Sequence, residues 1–94
     1  MDAGLLARYV ADLRARIERA WNRPASARPG LKCTLFVTQV PGGTVSSVRL
    51  GECNGDEAVR QSIVLAVHRA SPLPPPPDPS LFERSLNVEF APHD

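Results

Sequence analysis

Apolar residues recur every three or four positions along the first quarter of the chain. They are Leu6, Tyr9, Val10, Leu13, Ile17, Ala20 and Trp21. This spacing is typical of one face of a helix, and it predicts a helix from Leu5 to Trp21. Pro24 and then Pro29-Gly30 prevent this helix from continuing, because proline lacks the amide donor and clashes with the preceding turn.

Two stretches with the composition of β-strands follow this helix. Residues 32–40 alternate between two sides, and one side carries Cys33, Leu35 and Val37. Residues 41–43 read Pro-Gly-Gly, which is a strong turn signal, and residues 44–50 again favour a strand. The two stretches therefore predict a β-hairpin.

The second strand of this hairpin contains an irregularity in its alternation. Val45 and Val48 are three positions apart, whereas Val48 and Leu50 are two apart. All three side chains can face the core only if the strand contains one extra residue. We therefore expect a β-bulge near Ser46-Ser47.

A second helix is predicted from the segment that begins at Asn54. Asn54 is a candidate cap residue, Glu57 lies at the capping-box spacing, and acidic residues suit the positive end of a helix. The predicted helix ends near Ala70, because Ser71-Pro72 terminates it. Its apolar face consists of Val59, Ile63, Ala66, Val67 and Ala70.

A proline-rich segment covers residues 72–79 and cannot form a helix or a central strand. We interpret it as a stiff, extended spacer; the alternative is a proline-rich ligand for an SH3-like groove. Leu81, Phe82 and Leu86 are expected to pack as a short turn. Residues 85–91 then alternate apolar and polar positions, which predicts a third strand that ends at Pro92.

The order of elements is helix, strand, strand, helix, strand, which predicts an α+β fold with two layers. We expect a three-stranded antiparallel sheet in the order 2-1-3, covered on one face by the two helices. The third strand would then lie at the rim with unpaired backbone groups, where another chain can add a strand. The candidate partner-binding residues are Ser85, Leu86, Asn87, Val88, Glu89, Phe90 and Ala91.

Composition limits the chain to one small domain, expected to span residues 1–94. Its 94 residues, 10.2 kDa and 43% hydrophobic content are those of a single globular domain. Its net charge of +1 is too small to attract nucleic acid over distance. The longest apolar run covers only residues 63–67, and no secretory signal begins the chain, so a function outside the cytoplasm would make this a fragment.

The polar residues do not suggest catalysis or cofactor binding. His68 lies near a predicted helix end and His93 lies in the tail, and no nucleophile elbow or phosphate-binding glycine loop is present. Two cysteines are too few for a structural zinc site. From the residues alone, Cys33 and Cys53 are either a disulfide or two reduced, buried thiols. We expect a protein that is not an enzyme, without cofactor or metal.

Four short motifs resemble those of TolA C-terminal domains, and the likeness extends over residues 9–92. The motifs are Gly30-Leu31-Lys32-Cys33-Thr34, Gly43-Thr44-Val45-x-x-Val48-Arg49, Asn54-Gly55-Asp56 and Ala70-Ser71-Pro72-Leu73-Pro74 through Asp78-Pro79-x-Leu81-Phe82-Glu83. The resemblance implies a periplasmic adaptor domain of the Tol-Pal envelope system that binds the N-terminal segment of TolB. It further implies a longer protein anchored in the inner membrane, which works with TolQ and TolR and which colicins and filamentous phages exploit.

Two further expectations follow from this resemblance. Docking of a partner would occur by strand addition to residues 85–91, without insertion of this domain into the membrane. Periplasmic residence favours a disulfide between Cys33 and Cys53, because that compartment is oxidising. The alternatives are a TonB-like energy transducer that binds the N-terminal box of outer-membrane receptors and, more remotely, a small RNA-binding α/β module.

Overall fold

The computed structural model describes residues 3–92 and has the predicted α+β architecture, with two helices against a three-stranded antiparallel sheet. The elements are α1 (Ala3–Ala20), β1 (Cys33–Gln39), β2 (Val45–Cys53), α2 (Glu57–Ala70), a short 3-10 helix (Pro79–Leu81) and β3 (Ser85–Phe90). The strand order is β2-β1-β3. The predicted fold class and sheet order are therefore confirmed.

Helix α1 buries a face that repeats every four residues. Tyr9, Leu13 and Ile17 are at most 2% exposed. Extending this spacing backwards leads to Leu5, which packs against the core, whereas Leu6 is 44% exposed. The placement of Leu6 on the buried face was therefore wrong, and the helix also begins two residues before the predicted start.

Strand β1 is the centre of the sheet and supplies much of the core. Its buried positions alternate along the strand and are Cys33, Leu35, Val37 and Gln39. Val37 lies opposite Val48 of β2 on one side and opposite Leu86 of β3 on the other. The helices cover this face, and the opposite face of the sheet is open.

Strand β2 contains two irregularities. Thr38 lies opposite Ser47 and Gln39 lies opposite Val45, so Ser46 is the extra residue and the predicted bulge is confirmed. A second shift places two residues, 51 and 52, opposite one residue of β1. There, a Cβ on Gly51 would lie 2.6 Å from the ring of Phe36, so glycine permits the close approach. Strand β2 also ends at Cys53, three residues beyond the predicted end.

Helix α2 has the predicted buried face and the predicted last residue, but a different cap. Asp56 is the N-cap, and its carboxylate accepts the amide of Val59 at 2.9 Å. The prediction of Asn54 was wrong because the helix begins only at Glu57. The Asn54 side chain instead accepts the Lys32 amide at 2.9 Å and donates to the Gly30 carbonyl at 3.0 Å, which closes the end of the hairpin.

The proline-rich segment is fastened to the hairpin at its beginning. Leu73 is 3% exposed, and its amide donates to the carbonyl of Gly43 at 2.8 Å. Gly43 has a φ of +91°, and a Cβ there would collide with the backbone of Leu73. Arg16 also donates to the carbonyl of Pro72 at 3.2 Å. The start of the segment is thus packed, rather than acting only as a spacer.

The segment that leads into β3 is a capped 3-10 turn. The Asp78 carboxylate accepts the amide of Ser80 at 2.9 Å, and Leu81 is buried. Phe82 follows as the C-terminal cap of this turn. The expected turn is present at Leu81 and Phe82, whereas Leu86 belongs to β3 instead.

Candidate functional site

Strand β3 forms one rim of the sheet and is the more regular of its two edges. It pairs with β1 over six residue pairs without interruption, from Cys33 opposite Phe90 to Thr38 opposite Ser85. Within residues 3–92, no strand lies outside β3. The other rim, β2, carries two register shifts, and such irregularities disrupt the straight row of groups that an added strand requires.

One hydrogen bond, made by the residue just before β3, shows which residues of this strand direct their backbone groups toward β1 and which direct them outward. The amide of Gln39 donates to the carbonyl of Arg84 at 2.8 Å, and these two residues continue the register of the β1–β3 pair. In an antiparallel pair, residues that bond to the neighbouring strand alternate with residues that do not. Three residues of β3 therefore direct their N–H and C=O groups outward: Ser85, Asn87 and Glu89.

The side chains of β3 belong to two different surfaces. Val88 and Phe90 are buried beneath the helices, and Leu86 is half-buried on the same side. The alternate side chains lie on the open face, where Glu89 forms an ion pair with Lys32 at 3.0 Å. A segment that pairs with β3 would extend both surfaces at once, because side chains alternate in the same way along any strand.

A buried glutamine fixes the start of β3. Gln39 is 1% exposed, and its side-chain amide donates to the carbonyl of Glu83 at 2.8 Å and to the hydroxyl of Tyr9 at 3.2 Å. Sequence reasoning missed this role. The signal was present, because Gln39 continues the alternation of the buried residues of β1.

Aromatic packing holds the end of β3. The rings of Trp21 and Phe90 meet edge to face with their centroids 5.1 Å apart. The Trp21 indole also donates to the hydroxyl of Ser62 at 2.9 Å, which links this corner to α2. The Arg23 guanidinium lies 5.7 Å from the Trp21 ring centroid. The edge strand is thus positioned at both ends by the helical layer.

Cys33 and Cys53 form a disulfide, as the resemblance to periplasmic domains predicted. They face each other across the β1–β2 ladder with their Cα atoms 4.0 Å apart. Cys33 is fully buried and also lies opposite Phe90 of β3. The bridge therefore ties the hairpin together at the level where the edge strand ends.

Two aspartates cap helix ends, and each has a lowered pKa. The pKa of Asp56 lies below its ordinary value because the Val59 amide and the Ser26 hydroxyl donate hydrogen bonds to its carboxylate. The pKa of Asp78 is lowered by hydrogen bonds from the amide and hydroxyl of Ser80. His68 is exposed in the last turn of α2, whereas His93 lies outside the described residues.

Within residues 3–92, no group of three or more His, Cys, Asp or Glu side chains is arranged to hold a metal ion. Neither α1 nor α2 combines the length and the apolar character needed to cross a bilayer.

Comparison with known proteins gives a consistent family. The family model for the TonB C terminal matches residues 6–90. The Tol-Pal system protein TolA of Pseudomonas aeruginosa is 29% identical over 58 residues, which are 62% of this chain and 17% of that protein. This chain thus spans less than a fifth of the length of that relative.

Two solved structures share the fold. The solution structure of TolAIII bound to a peptide derived from the N-terminus of TolB has a TM-score of 0.72 and 26% identity, covering 99% of this chain and 77% of that one. The solution structure of the C-terminal domain of TonB from Helicobacter pylori has a TM-score of 0.66 and 15% identity, covering 88% of this chain and 90% of that one. At 15% identity, the second likeness concerns the fold alone.

Proposed function

Because this chain belongs to the TonB C-terminal domain family, we propose that it is a protein-binding adaptor of the Tol-Pal envelope system that acts in the periplasm. It binds the N-terminal segment of TolB by strand addition to β3. The similar TolAIII domain, whose structure contains a TolB peptide, supports this choice of partner. The family and fold are those of protein-binding domains rather than of enzymes.

The regular outer edge of β3 carries this proposal. Ser85, Asn87 and Glu89 offer outward backbone groups in a row, and the incoming segment pairs along residues 85–91. Four to six new backbone hydrogen bonds contribute about 0.5–1.5 kcal/mol each, and the cost of ordering the segment reduces the total. The resulting affinity is modest, which suits an adaptor that must bind a partner and release it.

The wider role extends to the full-length protein. We propose that this domain is the distal part of a longer protein anchored in the inner membrane and coupled to TolQ and TolR. Colicins and filamentous phage coat proteins would then exploit the same domain. These partners follow from the family resemblance alone, since the chain spans only 17% of its TolA relative.

A proline substitution at one outward-facing position tests the docking mode. Asn87→Pro removes an N–H group that points away from β1, and proline is tolerated on the solvent side of an edge strand. A titration with a peptide from the N-terminus of TolB is expected to show binding to the wild type and binding weaker by roughly two- to twelvefold to this variant, which loses one backbone hydrogen bond. The matched variant Asn87→Ala retains the outward backbone N–H group and is expected to bind more tightly than Asn87→Pro.

The TonB-like alternative is distinguished by the choice of peptide. It is supported by the family model for the TonB C terminal, which matches residues 6–90. We expect the TolB peptide to bind and a peptide with the N-terminal box of a TonB-dependent receptor not to bind. The reverse result would assign the domain to energy transduction, and equal binding of the Asn87→Pro variant and the wild type would place the contact elsewhere.

A further inference from the structure

The open face of the sheet contains a hollow that borders the edge strand. Its volume is about 240 Å³. The side chains that bound it on this face are Phe36, Thr38, Ser47, Arg49, Ser85 and Asn87. Two of these residues, Ser85 and Asn87, belong to β3, so the hollow is continuous with the proposed docking edge.

A cross-strand row fixes the position of the only charged group in this hollow. Phe36 lies opposite Arg49 of β2 on one side and opposite Asn87 of β3 on the other. The Arg49 guanidinium lies 4.8 Å from the Phe36 ring centroid, which is within the range of a cation–π contact. The positive charge is therefore held beside the Phe36 ring of β1, and it lines the same hollow as Ser85 and Asn87 of β3.

The lining of the hollow is complementary to an anion. It contains one guanidinium, three hydroxyl groups and one amide, and it contains no carboxylate. Within residues 3–92, Arg49 has no ion-pair partner. By contrast, the cleft beside the end of β3 already contains a carboxylate, that of Glu18, beside Arg19 and Arg23.

We infer that this hollow receives the carboxylate of a glutamate from the segment that adds to β3; this inference rests on the proposed function. A carboxylate accepts hydrogen bonds from hydroxyl, amide and guanidinium donors, whereas a Lys or Arg side chain would be repelled by Arg49. The added strand lies two strand spacings, about 10 Å, from β1. Glutamate therefore suits the hollow better than the shorter aspartate.

The experiment uses the TolB N-terminal peptide as the host for a charge scan. Each position on the open-face side of the added strand is set in turn to Glu or Gln, and the affinities of both peptides are measured. At one position, the Glu peptide is expected to bind the wild type roughly threefold more tightly, a size typical of an exposed ion pair. This preference should weaken as the salt concentration rises.

Variants of Arg49 separate the charge effect from folding. Arg49→Gln is expected to abolish the preference for Glu, and Arg49→Lys is expected to retain it because the positive charge remains. Arg8→Gln, on the exposed side of α1, is the matched control and should leave the preference unchanged.

Equal binding of the Glu and Gln peptides at every position would overturn the inference and leave the proposed function intact. Persistence of the preference in Arg49→Gln would also overturn it. If the TolB peptide does not bind the wild type at all, both the proposed function and this inference fail.

Discussion

Trp21, just beyond the end of α1, and Phe90, the last residue of β3, meet edge to face with their ring centroids 5.1 Å apart. This contact couples the helical layer to the end of the edge strand. Such aromatic pairs contribute about 0.5–1.5 kcal/mol beyond the area that they bury. The geometry of the proposed docking edge therefore depends on a residue that is far from it in sequence.

Replacing this tryptophan is expected to lower the stability of the domain while strand β3 remains folded. Trp21→Ala should lower the free energy of unfolding by about 2–3 kcal/mol, less than for a fully buried tryptophan because Trp21 is half-buried. Trp21→Phe keeps a ring but loses the hydrogen bond to Ser62, so a loss of about 1 kcal/mol is expected. Urea unfolding measures the stability of both variants. Equal stability of the wild type and Trp21→Ala would contradict the stabilising role of Trp21.

The buried Gln39 side chain gives a second prediction. Gln39→Ala leaves a cavity and removes the donor to Glu83 and Tyr9, so we expect a loss of about 2–3 kcal/mol in unfolding free energy. Tyr9→Phe removes only one of these bonds and should cost about 1 kcal/mol. Thr38→Ala, at the exposed neighbouring position, serves as the control and should change little. If Gln39→Ala lowered the unfolding free energy less than Thr38→Ala, the proposed structural role of the Gln39 side chain would be wrong.

The disulfide is expected to stabilise the domain substantially. Cys33 and Cys53 are separated by 20 residues, and closing a loop of that size contributes about 3 kcal/mol. Reduction of the wild type should therefore lower the midpoint of urea unfolding. The double variant Cys33→Ala, Cys53→Ala should unfold near the reduced midpoint and be insensitive to reductant. A wild type that reductant does not affect would argue against the bridge.

The N-cap of α2 predicts a dependence of stability on pH. The hydrogen bonds from Val59 and Ser26 lower the pKa of Asp56 in the folded state below its value in the unfolded chain. The ionised carboxylate therefore stabilises the fold above the unfolded pKa, and this contribution is lost as the pH falls through the folded pKa. Asp56→Asn retains an acceptor but does not titrate, so it should lose less stability on acidification. Unfolding free energies at about pH 6 and about pH 3 measure the difference; an identical loss in both proteins would contradict the prediction.

The elements and their order could be predicted because they depend on local periodicity. The four-residue repeat of Tyr9, Leu13 and Ile17 and the alternation along β1 are sufficient for this. The second bulge of β2 was missed although Leu50 and Cys53, like Val45 and Val48, are three positions apart. The cap of α2 was misassigned because Asn54 and Asp56 are both good caps, and local sequence does not show which one the hairpin uses.

The candidate site could be located from the sequence only as a whole strand. The element order placed β3 at the rim, but it could not say which of its residues direct backbone groups outward. That choice depends on the hydrogen-bond phase, which the bond between Gln39 and Arg84 fixes. The hollow beside Arg49 likewise requires the register of all three strands, which no local pattern specifies.

Amide hydrogen exchange along β3, with and without the TolB N-terminal peptide, tests the central claim most directly. In the free domain, Leu86, Val88 and Phe90 should exchange slowly because their amides bond to β1, while Ser85, Asn87 and Glu89 exchange fast. Adding the peptide is expected to slow exchange at Asn87 and Glu89. A peptide that binds while these outward amides continue to exchange at the free rate would show that β3 is not the docking edge.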